Sequence, residues 1–325
     1  MQSLLDPAIL FFVFGVLAGA LKSNLEVPPA ISKFLSLYLL MALGMKGGFA
    51  LAQTPFSAQL FASLGAALLM AFVVPALGYQ LLKRHVAGFD AAAIAAAYGS
   101  VSAVTFVTAT QVLEAQGITA PGHMTVAMVL MESPAIVMAV LLASLLRHGT
   151  AASPAGNGAT AALPMRRVLH EAFTDGTHLL LLGSLAVGYL SGEAGKAMMQ
   201  PFTGDLFKGM LAFFLLDMGL LVARHFQAAR QQSPVLIAYA VLGPVLHAAL
   251  ALGLAVLLAL PVADTALLMV LSASASYIVV PAVLRHAIPE ANPSLYFGLS
   301  LGITFPMNIL LGIPLYVQVA QWVRG

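Results

Sequence analysis

Between Arg230 and Asp264 the chain carries no Asp, Glu, Lys or Arg, and nine further apolar runs, some with a few charged residues, flank that one. Such a run fits a lipid-spanning helix, whose backbone groups are all satisfied internally. A soluble domain is about 25% charged and 45–50% apolar; this chain of 325 residues is 8% charged and 61% hydrophobic. The fold class is therefore an all-α membrane protein of about ten transmembrane helices. A net charge of +2 offers no basic face to nucleic acid. The absence of Cys excludes disulfides, thiolate metal sites and cysteine nucleophiles. The opening Met1-Gln2-Ser3-Leu4-Leu5-Asp6-Pro7 has no basic region before its apolar run, so residues 7–22 read as a retained first span rather than a signal peptide.

Turn and charge punctuation places spans at 7–22, 28–51, 55–82, 90–116, 121–147, 168–190, 201–224, 232–260, 264–288 and 293–322. The Gly-, Ser- and Ala-rich stretch beginning at Gly149 reads as a flexible linker, 149–167, between a first transmembrane repeat (1–148) and a second (168–325). Alternating loops then sort the basic residues. Lys22, Lys83, Arg84, Arg147, Arg166, Arg167, Arg224, Arg230 and Arg285 fall on one side, and Lys196, Lys208 and Arg324 on the other. Positive charge favours the cytoplasmic side. The linker is accordingly expected inside a bacterial plasma (inner) membrane and both termini outside.

The two groups of five spans carry matching features. Asp90 and Asp264 open spans 174 residues apart; Ser100 and Ser102 recur at the same offset as Ser274 and Ser276. Gly44 pairs with Gly219 at an offset of 175, and Pro134 with Pro306 at 172. Halves of five spans enter the membrane in opposite senses, so these matches predict two inverted five-helix repeats, an architecture of secondary transporters.

Spans four and nine carry small hydroxylated residues at mid-depth, Gly99-Ser100-Val101-Ser102-Ala103-Val104-Thr105 and Ser272-Ala273-Ser274-Ala275-Ser276-Tyr277, the second followed by Pro281. Hydroxyls can replace lost backbone partners, and Pro favours a break just upstream. Two broken helices meeting at the midplane would aim half-helix N-termini at an anion. The alternative is Ser-rich helix packing alone. Glu132 and Asp217 lie deepest in apolar surroundings and are candidates for cation or proton coupling, with a structural pairing to Lys46 or His247 as the plainer reading. Asp90 and Asp264 read as helix N-caps. Thr304 and Asn308, beside Pro306, are expected to line the cavity that holds Glu132, while His123, His178 and His247 read as packing residues with no metal spacing.

The run from Ser272 through Ser276-Tyr277-Ile278-Val279-Val280-Pro281 to Ile288-Pro289-Glu290-Ala291-Asn292-Pro293-Ser294 resembles the sodium-dependent bicarbonate transporter family (SbtA type). So does Gly99-Ser100-Val101-Ser102 running through Thr105 to Leu113-Glu114, and Met131-Glu132-Ser133-Pro134-Ala135 is similar to that family's Met-Asp-x-Pro-Ala. The resemblance covers nearly the whole chain. It implies ten spans in inverted repeats, a homotrimer in membrane lipid, inward movement of bicarbonate with sodium, and a PII-like nucleotide-binding regulatory protein on the cytoplasmic face. It assigns the anion site to Ser100, Ser102, Thr105, Ser274 and Ser276. The chain departs from the family where Tyr277 stands in place of an Asp, and where Val279-Val280-Pro281-Ala282 replaces Ser-Gly-Pro-Pro. A phenol is a poorer sodium ligand than a carboxylate and the two Val make the pocket more apolar, so the departures bear on both the cation and the anion, and the chain reads as a divergent member.

Two transporter readings follow: import of a small monoanion, bicarbonate first, with sodium; or proton-coupled movement of a small monocarboxylate through Glu132 or Asp217. A channel or a ligand-sensing membrane receptor is a third. An intramembrane hydrolase is disfavoured, because H-E-x-x-H is absent and Asp217 lacks a Gly-x-Gly-Asp context. The protein is expected not to be an enzyme, and no cofactor beyond a sodium ion is implied.

Overall fold

The computed structural model describes residues 6–151, 176–277 and 279–324, and every regular element among them is helical. Residues 149–151 of the expected linker belong to the end of a helix; the rest of the linker and the start of the sixth span lie outside these residues. Helix starts follow local chemistry. Asp6 accepts from the Ala8 amide at 2.8 Å to cap α1 (Pro7–Ala20), with Pro7 at the first helical position. Next come α2 (Pro29–Gln53), α3 (Ala58–Leu82), capped by Ser57, α4 (Gly88–Gly99), α5 (Ala103–Ala115) and α6 (Gly122–Ala151). α7 (Gly176–Gln200) is kinked at Gly192, where φ is 54°, and reaches ten residues beyond the expected end of its span. A π-helical turn, Pro201–Asp205, leads into α8 (Leu206–Arg230). α9 (Pro234–Leu257) is capped by Ser233, and α10 (Val262–Ala273) and α11 (Val279–Ala287) follow. The last segment is α12 (Pro293–Leu299), capped by Asn292, two π-helical turns, Ser300–Thr304 and Asn308–Gly312, around a short α-turn, Phe305–Met307, and finally α13 (Ile313–Arg324).

Among the described residues, seven helical runs are long and apolar enough to cross a membrane; one of them, Leu179–Phe226, spans 48 residues and takes in most of α7 and α8. Pro7–Ala20 and Val262–Ala273 are shorter apolar helices.

The helices sort into two packed groups. In the first, α1 lies along α8 and α2 along α7, with α2 also touching α8. Glycines let these backbones approach closely, as in lipid-embedded helix pairs. A Cβ at Gly15 would meet the Leu216 carbonyl at 2.3 Å and one at Gly219 the Phe12 carbonyl at 2.3 Å; across the other pair, a Cβ at Gly48 would meet the Leu185 carbonyl at 2.2 Å and one at Gly188 the Met45 carbonyl at 2.4 Å. The second group packs α3 on α4 and α6, and α9 and α13 on α10.

Asp90 and Asp264 are not the N-caps that their positions suggest. α4 starts at Gly88 and α10 at Val262, so each carboxylate sits inside the first turn and is free for tertiary bonds. Asp264, 2% exposed, accepts from the Ser63 hydroxyl at 2.6 Å and meets His123 Nε2 at 2.5 Å, which joins α3, α6 and α10. Asp90 accepts from the Asn292 amide at 2.7 Å and so holds the start of α12. His123 is therefore more than a packing residue.

Candidate functional site

The serine-rich stretches are where two helices stop and restart. α4 ends at Gly99, Ser100-Val101-Ser102 is non-helical, and α5 begins at Ala103; α10 ends at Ala273, and Ser274-Ala275-Ser276-Tyr277 is non-helical before α11. The two breaks cross. The Ser102 amide donates to the Ser274 hydroxyl at 3.0 Å, and the Ser276 amide donates to the Ala97 carbonyl at 2.8 Å. Each break thereby satisfies backbone groups that the other has freed, which an interruption in an apolar bundle requires.

The hydroxyls of the same serines restart the helices. Ser102 Oγ accepts from the Thr105 amide at 3.2 Å to cap α5, and Ser276 Oγ accepts from the Val280 amide at 3.2 Å at the start of α11. The α5 N-terminus, with Ala103 and Val104 in its first turn, and the Ser276-Tyr277 break before α11 therefore open on one place. A cavity of about 50 Å³ lies there, lined by Ser102, Ala103 and Val104 at the opening of α5, by Ser276 and Tyr277, by Glu132 of α6, and by Ser36, Leu40, Thr177 and Leu181 of the first group. It sits at the contact between the two groups of helices.

The remaining candidates are placed as follows. Ser100 is 1% exposed and its hydroxyl has no hydrogen-bond partner. Ser274 is equally buried and donates its hydroxyl to the Leu271 carbonyl at 2.8 Å. Thr105 is buried one turn into α5. Glu132, 6% exposed, faces the cavity. Tyr277 is buried with its ring 5.1 Å from that of Phe305; its hydroxyl lies within electrostatic reach of Ser102 without a well-formed hydrogen bond.

Of the five residues expected to form the anion site, Ser102 and Ser276 line the cavity and Ser100, Thr105 and Ser274 do not; three further expected members also stand apart from it. Thr304 exchanges a 2.6 Å hydrogen bond with the Tyr98 hydroxyl and donates to the Ala240 carbonyl at 2.7 Å. Asn308 Nδ2 donates to the Ala273 carbonyl at 2.8 Å, so it supports the end of α10 from behind. Neither lines the cavity with Glu132. The π-helical turns around Pro306 rotate these side chains, so their register cannot be read with a period of 3.6. Asp217 is 8% exposed and accepts from the Ser32 hydroxyl at 2.5 Å, tying α8 to α2 outside the cavity. Lys46 pairs with neither Asp217 nor Glu132 but with Glu114, at 2.8 and 3.1 Å. Ser36, unmarked in the sequence, lines the cavity and donates to the Ser32 carbonyl at 3.1 Å. No group of three or more His, Asp or Glu suited to a metal occurs among the described residues.

An all-α membrane protein with two crossed helix breaks beside a buried carboxylate is the class that this fold and site define. Residues 7–321 match the Na+-dependent bicarbonate transporter superfamily, and the chain belongs to that superfamily. The family is one of transporters, not enzymes. No curated protein sequence is a significant match to the chain.

Proposed function

We propose that the protein is a secondary transporter that imports a small monoanion, bicarbonate before others, across the bacterial inner membrane. The observation that carries this reading is that the α5 N-terminus, the Ser276-Tyr277 break and Glu132 open on one small cavity. The α5 N-terminus favours an anion. Glu132 faces the same cavity and is, in this reading, the carboxylate beside which a coupling cation would travel with the anion.

Sodium is the family's cation. In this chain Tyr277 occupies the place of an anionic ligand, so the sodium cage would rest on backbone carbonyls, on Ser hydroxyls and on Glu132. Ser100, Ser102, Thr105, Ser274 and Ser276 form the proposed anion site. Asp217, Thr304 and Asn308 act in this reading by holding the helices around it. Because Tyr277 replaces the carboxylate, proton-coupled movement of a small monocarboxylate is the second reading.

Two halves of five spans related by inversion are supported by the reciprocal pairing of α1 with α8 and α2 with α7, and by Gly44 and Gly219 each facing a backbone of the other half. A homotrimer and a PII-like regulator on the basic, cytoplasmic face belong to the same proposal.

Uptake of labelled bicarbonate by proteoliposomes, with and without sodium or proton gradients, tests this. Uphill uptake driven by either gradient is expected. Uptake that only equilibrates would indicate a channel, and formate or acetate moved in preference to bicarbonate would favour the second reading.

A further inference from the structure

A second and larger cavity, of about 660 Å³, opens on the other side of the crossing. The small cavity meets the N-terminal parts of α2 and α7 through Ser36 and Leu181; the large one meets their C-terminal parts through Lys46 and Lys196. α5 runs between them, from Ser102 at one cavity to Gln111 and Glu114 at the other.

Its charge is distinctive. Lys46, Lys196 and Lys208 line it, against the carboxylates Glu114 and Asp205. Lys46 and Glu114 neutralise each other in a close pair, with Lys46 also 4.9 Å above the Phe207 ring. Lys196 and Lys208 then face Asp205 alone. The 3.4 Å pairing of Lys196 with Glu193 is solvent-exposed and within one helix, so it holds Lys196 only weakly. The side of the membrane matters too. In the sorting of basic residues, which leaves out Lys33 and Lys46 as lying inside a span, Lys196, Lys208 and Arg324 fall on the external side, and both lysines open into this cavity. The Gln111 amide oxygen is buried there without a hydrogen-bond partner, and a water or a hydroxylated anion would complete it.

We infer that this outer cavity is a second, low-affinity site for small anions, from which substrate reaches the serine crossing. That the anion is the transported one rests on the function proposed above; the attraction for anions does not. A cleft with excess charge of one sign raises the local concentration of its counter-ion, and salt weakens the effect.

Two measurements test it. In a Trp322→Phe, Gln53→Trp protein in neutral detergent, with the reporter at an exposed position on the cavity lining, iodide is expected to quench the single indole more strongly than caesium. Lys196→Gln with Lys208→Gln should make the two quenchers equal, and Lys→Arg at both positions should restore the difference. In proteoliposomes the double Gln variant should raise the half-saturating bicarbonate concentration by roughly threefold or more, a loss overcome at high substrate. Equal quenching in the lysine-intact protein, or an unchanged half-saturating concentration, would overturn the inference. If the native protein takes up no bicarbonate but shows lysine-dependent iodide preference, the anion cavity stands and the substrate assignment falls. Normal uptake without that preference has the opposite meaning.

Discussion

The Ser102 amide and the Ser274 hydroxyl, 172 residues apart in sequence, share a 3.0 Å hydrogen bond at the point where two broken helices cross. Ser102 also caps α5, so one residue holds both the crossing and a half-helix start. Ser102→Ala should cost about 1 kcal/mol of cap stability and leave a folded protein. Ser102→Leu or Ser276→Leu should fill the cavity and lower uptake more than tenfold at unchanged expression and monodispersity, a magnitude of about 1.4 kcal/mol or more. Near-normal uptake in both Leu variants would remove the crossing from the transport site.

Tyr277 faces the same cavity as Glu132, and its replacement by Asp would supply a second hard oxygen ligand beside it. Native uptake is expected to depend weakly on sodium, and Tyr277→Asp to acquire saturable sodium activation. The measurement is initial uptake against sodium concentration at fixed pH. Steep sodium activation of the native protein at low millimolar concentrations would contradict this account of the site.

Gly48 sets the approach of α2 to α7. A Cβ there meets backbone at 2.2 Å, and Gly48→Ala should lower stability by about 1–3 kcal/mol, seen as a reduced melting temperature in detergent. Gly65 of α3 has nothing within 4 Å of such a Cβ, so Gly65→Ala should be neutral or raise the melting temperature. Equal effects would mean that the α2–α7 contact is not close-packed.

Arg147 hydrogen-bonds both carboxylate oxygens of Glu290 at 2.8 Å, and those bonds hold the Glu290 carboxyl below the ordinary value of 4.5. A depressed carboxylate contributes stability above its ordinary value and loses it as pH falls through the lower, folded one. The pair is partly exposed, so Glu290→Gln should cost at most about 1 kcal/mol at neutral pH. Melting curves of native and variant protein should differ at neutral pH and draw together as pH falls below 4.5 and through the depressed, folded-state value. A difference that grows toward acid pH would reverse the assignment.

The sorting of basic residues predicts sidedness. The native chain has no Cys, so single cysteines report cleanly. Gln116→Cys, in an exposed turn, should react with an impermeant thiol reagent in intact cells, and the equally exposed His85→Cys should not. The reverse pattern would place the lysine-lined cavity in the cytoplasm.

Much of the site was legible because its signals are local. A serine within an apolar run, with Gly before it or Pro after it, marks a place where a helix can stop, and both breaks fall at those serines. Asp90 and Asp264 were misread for the complementary reason. A carboxylate near a helix start is a cap or a tertiary ligand according to where the first turn begins, and two residues of difference freed Asp264 for Ser63 and His123. Thr304 and Asn308 turned away from Glu132 because π-helical turns shift the register in a segment that reads as uninterrupted helix.

The sequence alone determined the all-helical membrane class, the break positions and the uneven division of basic residues, since each depends on composition or on neighbours a few positions apart. Only the tertiary structure decided which groups meet: Ser102 with Ser274, Asp264 with His123, and Lys46 with Glu114. These are contacts between helices far apart in the chain. An apolar helix surface can pack in many rotations at similar cost, and the choice among them is made by close glycine contacts and by the need to pair each buried polar group.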